Sequence, residues 1–359
     1  MVMGTMKNSQ HADAEGKPAN RGDMEQHHDL QRRMRAEATQ CAPPSMADAS
    51  EPRSEEFFRT IVENGEDFFA VLDLEGRRLY NSPSYAKLFG DIGSMKGSDS
   101  FAEIHPDDLE LVKRAFGETV QTGRSYRLNF RFVLANGSIR YMESCGALIR
   151  NSQGLALRVA VVSRDITERI EKEQEIYNLA FYDTLTQLPN RRLLSDRLDQ
   201  AMATSKRSGR YGALMLLDLD NFKPLNDTHG PAMGDLLLPE VGRRVTSCLR
   251  EMDTVARFGG DEFVLVVCEL DKDKTRSAVQ SGIVAEKIRA ILGEPYELKF
   301  QRENSIETTI EYRCTASIGV ALFIDHEASR EDILNRADMA MYQAKAAGRN
   351  LIRFYDSKI

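Results

Sequence analysis

The chain has 359 residues, 42% of them hydrophobic and 29% charged, with a formal net charge of -7 and a pI near 5.6. This length predicts two folded domains, and the acidic balance argues against nucleic acid or an anionic membrane as a partner. Because no apolar run approaches the roughly 20 residues of a membrane-spanning helix and no apolar signal segment opens the chain, we expect a cytoplasmic protein without a membrane partner.

The first 53 residues are polar, rich in Ala, Asp, Glu, Gln, Arg and Pro, and almost free of clustered apolar side chains. Such a segment cannot bury a core, so we expect residues 1–53 to be disordered. Its adjacent His27 and His28 are more often inert in a polar tail than metal-binding. The cysteines of the whole chain are odd in number and contain no C-x-x-C pair, which indicates reduced thiols. They are Cys41, Cys145, Cys248, Cys268 and Cys314.

Residues 54–167 contain short strand patterns on both sides of helical ones. Asn136-Gly137 is a strong hairpin signal, and the apolar residues from Tyr126 to Phe132 alternate with polar ones as in a half-buried strand. Helices are predicted around Ser84 to Phe89 and after Pro106. The predicted strands are Phe68 to Leu74, Leu79 to Asn81, Tyr126 to Phe132, Ile139 to Ile149 and Leu155 to Val162.

This order of elements, with the segment Ile104-His105-Pro106-Asp107-Asp108 and the closing Asp165-Ile166-Thr167, resembles a PAS sensor domain. The resemblance implies an antiparallel sheet with flanking helices and a sensory role, whose ligand and sign the sequence leaves unknown. His105 is a candidate haem ligand, but its segment favours the start of a helix. Cys145 lies outside any recognisable flavin-binding motif, which argues against a photosensory role.

Residues 168–181 are predicted to form a signalling linker helix. Apolar residues recur near a seven-residue repeat that is interrupted at Glu173. We expect this helix to pair with its copy in a second subunit, and the alternative is a single amphipathic linker helix. The residues of the repeat are Ile166, Ile170, Tyr177 and Ala180.

The last part, residues 182–359, contains the most informative segment, Arg257-Phe258-Gly259-Gly260-Asp261-Glu262-Phe263. Apolar residues flank it on both sides, so two strands joined by a glycine turn are predicted. The glycines leave the backbone open to a bulky anionic ligand, and the two carboxylates offer oxygen ligands to a divalent cation. By composition alone, an ordinary surface turn is the alternative.

A second strand is predicted upstream. Ala213 to Leu217 is continuously apolar and ends in Asp218-Leu219-Asp220-Asn221-Phe222-Lys223. Such a run suits a strand buried on both faces, and ligands of open α/β sheets gather where such strands end. We therefore expect Asp218 to face the carboxylates of the hairpin.

Further segments complete a family pattern. They are Asp183-Thr184-Leu185-Thr186 with Pro189-Asn190-Arg191, then Asn226-Asp227-Thr228 with Gly230, Gly234 and Asp235, and finally Ala344-Lys345-Ala346-Ala347-Gly348-Arg349-Asn350. Together with the hairpin segment they resemble the GGDEF family, the diguanylate cyclases. The resemblance implies the palm-like α/β fold of nucleotide cyclases. It also implies a homodimer that condenses two GTP into cyclic di-GMP and two pyrophosphates.

The resemblance assigns the catalytic and metal-binding groups. Asp218, the backbone carbonyl of Leu219 and Asp261 would hold Mg²⁺ or Mn²⁺. Glu262 would add a ligand or handle the hydroxyl proton. Lys223 would neutralise the triphosphate and assist catalysis.

It also assigns the substrate contacts. Phe222 would line the pocket, Gly259 and Gly260 would admit the phosphates, and Asn226 and Asp235 would contact guanine. A buried carboxylate accepts from the N1 and N2 donors of guanine, which adenine lacks, so Asp235 would select the base.

The closing segment would supply two more phosphate contacts. Lys345 and Arg349 are four residues apart, so we expect them to share one helix face and address the triphosphate together. The alternative for this pair is an interaction with the helix dipole. No Walker-type G-x-x-x-x-G-K-[ST] phosphate loop occurs in the sequence.

A feedback site is predicted at Arg250 and Asp253, whose R-x-x-D spacing before the hairpin resembles the product-inhibition site of the family. An arginine fork and a carboxylate suit guanine. The alternative is an exposed ion pair at a helix end. Lys287 would add a weaker contact where relatives often carry arginine.

The sequence departs from the family pattern at three places. Pro231 stands where histidine is common, Pro239 falls in a helical pattern, and the segment Tyr296 to Arg313 is long enough for an extended hairpin. None of these removes a catalytic group. Two other functions remain open: a catalytically silent receptor for GTP or cyclic di-GMP, and a PAS-driven scaffold whose cyclase is incidental.

Overall fold

The computed structural model describes residues 60, 62–91, 93, 95–300, 308–325 and 327–356, so the expected disorder of residues 1–53 lies outside the described part. The chain divides into two compact units, Met1–Glu173 and Gln174–Ile359. Each unit contains a five-stranded sheet. Within the described residues, no helix is both long and apolar enough to cross a membrane.

The first unit is an antiparallel sheet in the order β2-β1-β5-β4-β3, as expected for a PAS fold. The first strand ends at Leu72 rather than at Leu74, because the Asp73 carboxylate accepts hydrogen bonds from the backbone N–H groups of Glu75 and Arg77 and turns the chain. The elements are β1 (Phe68–Leu72), β2 (Arg78–Asn81), a 3-10 turn (Pro83–Tyr85), α1 (Ala86–Phe89), α2 (Pro106–Thr122), β3 (Tyr126–Val133), β4 (Ile139–Arg150) and β5 (Ala156–Asp165).

The core of this unit is tightly filled with aromatic rings. Phe68 and Tyr85 meet edge to face at 5.3 Å, and Phe89 meets Phe132 in the same way at 5.5 Å. A cavity of about 40 Å³ remains beside Arg78, with room for a few water molecules.

A buried ion pair ties α2 to β3. The Arg131 guanidinium donates from Nε and Nη2 to the two oxygens of Asp108 at 2.9 and 3.0 Å. Burial raises the pKa of Asp108, but hydrogen bonds from the side chain and backbone of Arg131 outweigh it and hold that pKa below its usual range. At the same helix start, the His105 Nδ1 accepts from the backbone N–H of Asp107 at 3.3 Å. The prediction that His105 begins a helix is therefore confirmed.

The helix α3 (Thr167–Phe181) runs across the boundary between the two units. Ile166 precedes this helix and is buried. Its backbone N–H donates to the Tyr141 carbonyl, and its own carbonyl accepts from the backbone N–H of Ile170 at 3.0 Å, so Ile166 joins the sheet to the first turn of α3. The large exposed apolar side chains of α3 are Ile176, Tyr177 and Leu179, of which Tyr177 belongs to the predicted repeat. The pairing of this helix with a second copy stays a prediction.

The second unit has a sheet in the order β12-β11-β6-β8-β7, antiparallel except for the β11–β12 pair. All nine residues of β6 are buried, which confirms the predicted strand buried on both faces. The elements are α4 (Arg191–Ser208), β6 (Gly212–Asp220), α5 (Phe222–His229), α6 (Pro231–Thr246), β7 (Thr254–Gly259), β8 (Glu262–Val267), α7 (Lys274–Leu292), β9 (Tyr296–Phe300), β10 (Thr308–Tyr312), β11 (Thr315–Phe323), α8 (Arg330–Ala346) and β12 (Ile352–Phe354).

Two separate apolar cores flank this sheet. Leu217 and Leu219 face the core that contains α5, α6 and α7, whereas Leu214 and Leu216 face the core that contains α4 and α8. Because side chains of a strand alternate, the even-numbered residues of β6 project toward α4 and α8.

The departures from the family pattern are accommodated locally. Pro231 occupies the first turn of α6, where its missing N–H is not needed, and the helix continues through Pro239. β9 and β10 pair antiparallel from Tyr296 opposite Tyr312, so the predicted extended hairpin is confirmed. A groove of about 740 Å³ lies between α6 and this hairpin.

Candidate active site

The hairpin between β7 and β8 has the predicted glycine turn. Gly259 and Gly260 have φ of 146° and 53°, values that side-chain-bearing residues rarely adopt, and a bulge interrupts the pairing between Arg257 and Gly259. A Cβ added to either glycine would meet no atom within 4 Å. The turn is therefore open on the side from which a ligand would approach.

Asp218 lies beside this turn, as expected. It stands opposite Glu262 in the β6–β8 pairing, and the backbone N–H of Leu219 donates to the Asp261 carbonyl at 3.3 Å. Asp218 is 7% exposed, whereas Asp261 and Glu262 are half-buried. Asp261 and Glu262 thus lie near Asp218 at the end of the central strand, close enough for their charges to act on it.

The surroundings of Asp218 carry an excess of negative charge. The pKa of Asp218 is raised to about 6, chiefly by burial. The hydrogen bond from Lys345 opposes this rise, and the neighbouring charges of Asp261 and Glu262 contribute to it. Lys345 Nζ lies 2.6 Å from Asp218 Oδ2. A divalent cation would relieve the remaining repulsion.

The donor set fits a cation that is shared with a phosphate. Within the described residues, no three His, Cys, Asp or Glu side chains cluster closely enough to hold a metal by themselves. The predicted set, Asp218, Asp261 and the main-chain carbonyl of Leu219, leaves further positions to water and phosphate oxygens. Mg²⁺ prefers this arrangement to a closed protein cage.

The predicted guanine contacts lie where α5 packs against α6. The Asn226 Oδ1 is buried and lacks a hydrogen-bond partner, and Phe222 is buried beside it. A Cβ on Gly234 would lie 2.4 Å from Asn226 Oδ1 and 2.7 Å from Phe222 Cζ, so only glycine permits this approach. A buried acceptor without a donor is costly, and a ligand N–H would satisfy it.

Asp235 follows Gly234 on α6 but is exposed. The expectation of a buried Asp235 is therefore wrong for the ligand-free chain, because the first turns of α6 have solvent on that side. Its carboxylate would be shielded from water only by a bound base.

The cationic residues differ in their placement. Lys223 is exposed on α5, and Lys345 lies in the last turn of α8. Arg349 lies beyond the end of that helix with φ of 62°, and its backbone N–H donates to the Ala344 carbonyl at 3.1 Å. The expectation that Lys345 and Arg349 share one helix face is therefore wrong, because the chain turns after Ala347.

Arg257 is a residue whose role the sequence did not indicate. Its Nη1 lies 3.0 Å from Asp183 Oδ1, and its Nη2 donates to the Gly260 carbonyl at 2.8 Å. The backbone N–H of Arg257 also donates to the Pro189 carbonyl. The opening segment is thereby joined to the glycine turn. The only sequence signal for this contact was that Asp183 and Arg257 both lie in segments that resemble the family pattern.

The predicted feedback residues lie in a tight turn after α6. The Asp253 carboxylate accepts from the backbone N–H groups of Arg250 and Cys268, each at 3.0 Å. The Arg250 side chain is exposed and forms no salt bridge within the described residues. The alternative of a helix-end ion pair is therefore not supported, and the Arg250 guanidinium is accessible to a ligand.

Comparison with known families agrees with this geometry. The model described as "Diguanylate cyclase, GGDEF domain" matches residues 180–351, and the model described as "PAS fold" matches residues 78–163. The chain is thus of the class that joins a PAS unit to a GGDEF domain. A diguanylate cyclase of Vibrio cholerae is 31% identical over 289 residues, which cover 79% of this chain and 85% of that protein. The chain belongs to the GGDEF family of diguanylate cyclases.

Other relatives are longer. The bifunctional diguanylate cyclase/cyclic di-GMP phosphodiesterase MucR of Pseudomonas aeruginosa is 39% identical over 193 residues, which cover 54% of this chain and 26% of MucR. This chain spans about a quarter to a third of the length of the first relatives it matches. A structure of the coiled coil and GGDEF domain of DgcB from Caulobacter crescentus, in complex with c-di-GMP, is 28% identical and covers 52% of this chain and 92% of that one, with a TM-score of 0.45.

Proposed function

We propose that this chain is a diguanylate cyclase that condenses two GTP into cyclic di-GMP and two pyrophosphates as a homodimer. The observation that carries the proposal is the placement of Asp218 opposite Glu262 and near Asp261, at a turn whose two glycines have free space where side chains would lie. The similarity to the Vibrio cholerae diguanylate cyclase over most of both chains supports the same reaction.

In this proposal, guanine enters the pocket of α5 and α6. The orphaned Asn226 Oδ1 accepts a hydrogen bond from the base, and Phe222 lines the pocket. Asp235 accepts from the N1 and N2 edge, which selects guanine over adenine. Because Gly234 has no side chain, Asn226 and Phe222 can pack directly against α6.

The phosphates lie over the glycine turn. Lys223 and Arg349 neutralise the triphosphate, and Lys345 exchanges its contact with Asp218 for a phosphate oxygen. Asp218, Asp261 and the Leu219 carbonyl hold Mg²⁺ or Mn²⁺, and Glu262 adds a ligand or accepts the proton of the attacking hydroxyl. When bound, the metal stabilises the charge that develops on the α-phosphate and on the leaving pyrophosphate.

The product has two phosphodiester bonds, and the cyclase unit of each chain holds one GTP, so the reaction needs two copies of the chain. The 3′-hydroxyl of each GTP attacks the α-phosphate of the other. The exposed Ile176 and Leu179 give α3 an apolar surface through which two copies can pair. The PAS unit would act on the cyclase through this helix.

Product feedback is a further part of the proposal. Arg250 offers a planar donor fork to O6 and N7 of guanine. Each oxygen of Asp253 accepts one backbone N–H and keeps a second lone pair for the N1 and N2 edge. Lys287 adds a point charge nearby, since its charge acts on Cys248 at the end of the same turn.

The second candidate function is a silent receptor for GTP or cyclic di-GMP. Several relatives are named cyclic di-GMP phosphodiesterases, and they match this chain over part of their length. The retention of both glycines and both acids of the hairpin favours the cyclase, because a receptor has no need of the transition-state groups.

The test is incubation of the full chain with GTP or with ATP in the presence of Mg²⁺, followed by product analysis. We expect GTP to yield cyclic di-GMP and two equivalents of pyrophosphate, and ATP to yield far less product. Binding of a non-hydrolysable GTP analogue without turnover of GTP would instead identify the receptor. An absorption spectrum of the same preparation would reveal a chromophore retained by the PAS unit.

A further inference from the structure

Asp220 ends β6 two residues after Asp218, and its side chain is buried, with 3% exposure. Both carboxylates project from the same face of the strand, toward α4 and α8. They differ in their partners. Asp218 pairs with the Lys345 ammonium, whereas the partners of Asp220 among the described residues are uncharged donors.

Three hydrogen bonds occupy the Asp220 carboxylate. Its Oδ1 accepts from Ser317 Oγ at 2.7 Å, and its Oδ2 accepts from Thr315 Oγ1 at 2.7 Å and from the backbone N–H of Asn350 at 2.9 Å. A carboxylate has about four acceptor sites, so little capacity remains for a metal or a substrate. This geometry makes Asp220 a structural neighbour of the site and not one of its ligands.

The third of these bonds holds an unusual turn. Arg349 and Asn350 have φ of 62° and 48°, and two successive non-glycine residues in the left-handed region persist only where their surroundings hold them. Asn350 is held from a second side, since its Oδ1 accepts from Arg289 Nη1 at 2.8 Å. The Leu351 carbonyl then accepts from the backbone N–H of Ile318, which returns the chain to the sheet.

We propose that Asp220 is a positioning residue for triphosphate recognition. It does not touch GTP or metal, but it fixes the turn that carries Arg349, just after the helix end that carries Lys345. Pre-ordering this turn removes the entropy loss that a mobile arginine would suffer on binding. The inference rests on the proposed function, in which Arg349 binds the triphosphate.

The test compares two nucleotides in the full chain with Asp220→Asn. The amide keeps the size of the side chain but removes its charge, so in either orientation the Asn350 N–H loses its charge-assisted hydrogen bond. By calorimetry, a non-hydrolysable GTP analogue should bind about tenfold more weakly, as expected for the loss of a charge-assisted contact. The affinity for GMP, which has the base but not the triphosphate, should not change. Ser317→Ala is the matched control, since it removes one hydroxyl donor and leaves the Asn350 bond in place.

A double variant of Asp220 and Arg349 distinguishes a positioning role of Asp220 from a general effect on the structure. Arg349→Ala should weaken analogue binding to a similar degree, and adding Asp220→Asn to it should cause no further loss. Additive losses, or an equal loss of GMP affinity, would overturn the role. A changed Mg²⁺ dependence of analogue binding in Asp220→Asn would overturn it in favour of a metal ligand.

If Asp220→Asn does not fold, hydrogen exchange of the wild type provides the second measurement. The Asn350 N–H that bonds Asp220 should be protected in the free chain as well as in the analogue complex. Fast exchange of this N–H in the free chain, with protection gained only on analogue binding, would overturn the pre-ordering of the turn. Absence of analogue binding by the wild type would overturn the proposed function and this role together, whereas normal wild-type binding without an effect of Asp220→Asn would overturn only the role of Asp220.

Discussion

The two units of this protein bury charged groups in different ways. In the PAS unit, Arg131 is buried and is matched by Asp108 and Asp107 with several hydrogen bonds. In the GGDEF unit, Asp218 has one cationic partner and two acidic neighbours. A charged group that is neutralised by partners within the chain joins elements of the fold. A charged group that lacks enough opposite charge nearby is available to bind a ligand.

The same contrast recurs inside the GGDEF unit. Asp183 pairs with Arg257, and Asp220 has three donors, so both carboxylates organise the chain. Asn226 keeps an orphaned acceptor, since its buried Oδ1 has no hydrogen-bond partner among the described residues. Whether a polar group has hydrogen-bond or ion-pair partners within the chain, more than its burial, distinguishes the structural groups from those proposed to contact the substrate.

The largest expected effect is on catalysis and concerns Asp261, one of the acidic residues near Asp218. Asp261→Ala should lower the rate of cyclic di-GMP synthesis by about 10²–10³-fold, because a charged group is lost where transition-state charge develops. The melting temperature should change little, since Asp261 is half-buried at a turn. Glu110→Ala, which removes an exposed acid in the PAS unit, should keep the wild-type rate. Normal synthesis by folded Asp261→Ala would remove the metal assignment.

The second effect is on stability and concerns Arg131, whose charge is paired with Asp108. Arg131→Ala should destabilise the PAS unit by about 3–5 kcal/mol, because Asp108 remains as an uncompensated buried charge. Denaturant unfolding measures this change. The double variant Arg131→Met with Asp108→Asn removes both charges and should recover much of the stability. A loss below about 1 kcal/mol for Arg131→Ala would show that the pair is screened by solvent.

The same pair predicts a pH dependence. The pKa of Asp108 is lowered on folding by Arg131, so its stabilisation is present above the unfolded pKa of about 3.9 and is lost as the pH falls through the lower folded value. Denaturant unfolding of the wild type at pH values below about 3.9 should show this loss of stability, and Arg131→Met with Asp108→Asn should not.

The third effect tests base selection. Asp235→Ser should reduce the preference for GTP over ATP by at least about tenfold, because a hydroxyl can donate to adenine where a carboxylate cannot. Competition between the two nucleotides, with separation of the products, measures the ratio. If the ratio is unchanged, Asp235 does not read the base, in keeping with its exposed position.

A smaller effect tests the floor of the base pocket. Gly234→Ala should lower kcat/KM for GTP by about tenfold, since the added methyl group displaces Asn226 or Phe222. Gly282→Ala on α7 is the matched control, because its Cβ would meet Phe354 at an ordinary 3.6 Å. Equal kinetics for the two variants would show that Asn226 can move without cost.

The smallest effect concerns feedback. Progress curves of the wild type should slow as cyclic di-GMP accumulates, while Arg250→Ala continues near its initial rate. The loss of one exposed guanidinium contact should raise the inhibitory concentration of product by about fivefold. Lys287→Ala should have a weaker effect, because a point charge cannot form a two-pronged contact. Equal inhibition of wild type and Arg250→Ala would exclude this site.

Much of the fold was predictable because its signals are local. The continuous apolar run before Asp218 predicted a strand buried on both faces, and the alternation from Tyr126 to Phe132 predicted a strand with one buried face. The glycine pair predicted the hairpin turn. Each signal depends on neighbours within about ten residues, where hydrophobic periodicity and backbone preference act directly.

Errors arose where a short pattern was extended past its end. The four-residue spacing of Lys345 and Arg349 fits a helix, but Gly348 and two left-handed residues end it first. The first strand was predicted to reach Leu74, but it ends at Leu72 because Asp73 turns the chain. Spacing alone does not show where a helix stops, because the stop depends on hydrogen bonds made by the following residues.

The sequence by itself determined the classes of the two units, the buried strand, the hairpin and the residue types of the candidate site. Only the tertiary structure decided which polar groups are satisfied. Asp183 meets Arg257 across 74 positions, and Asp220 meets Asn350 across 130. The physical reason is that propensity and periodicity act over a few residues, whereas hydrogen-bond satisfaction depends on which distant segments the packed cores bring together.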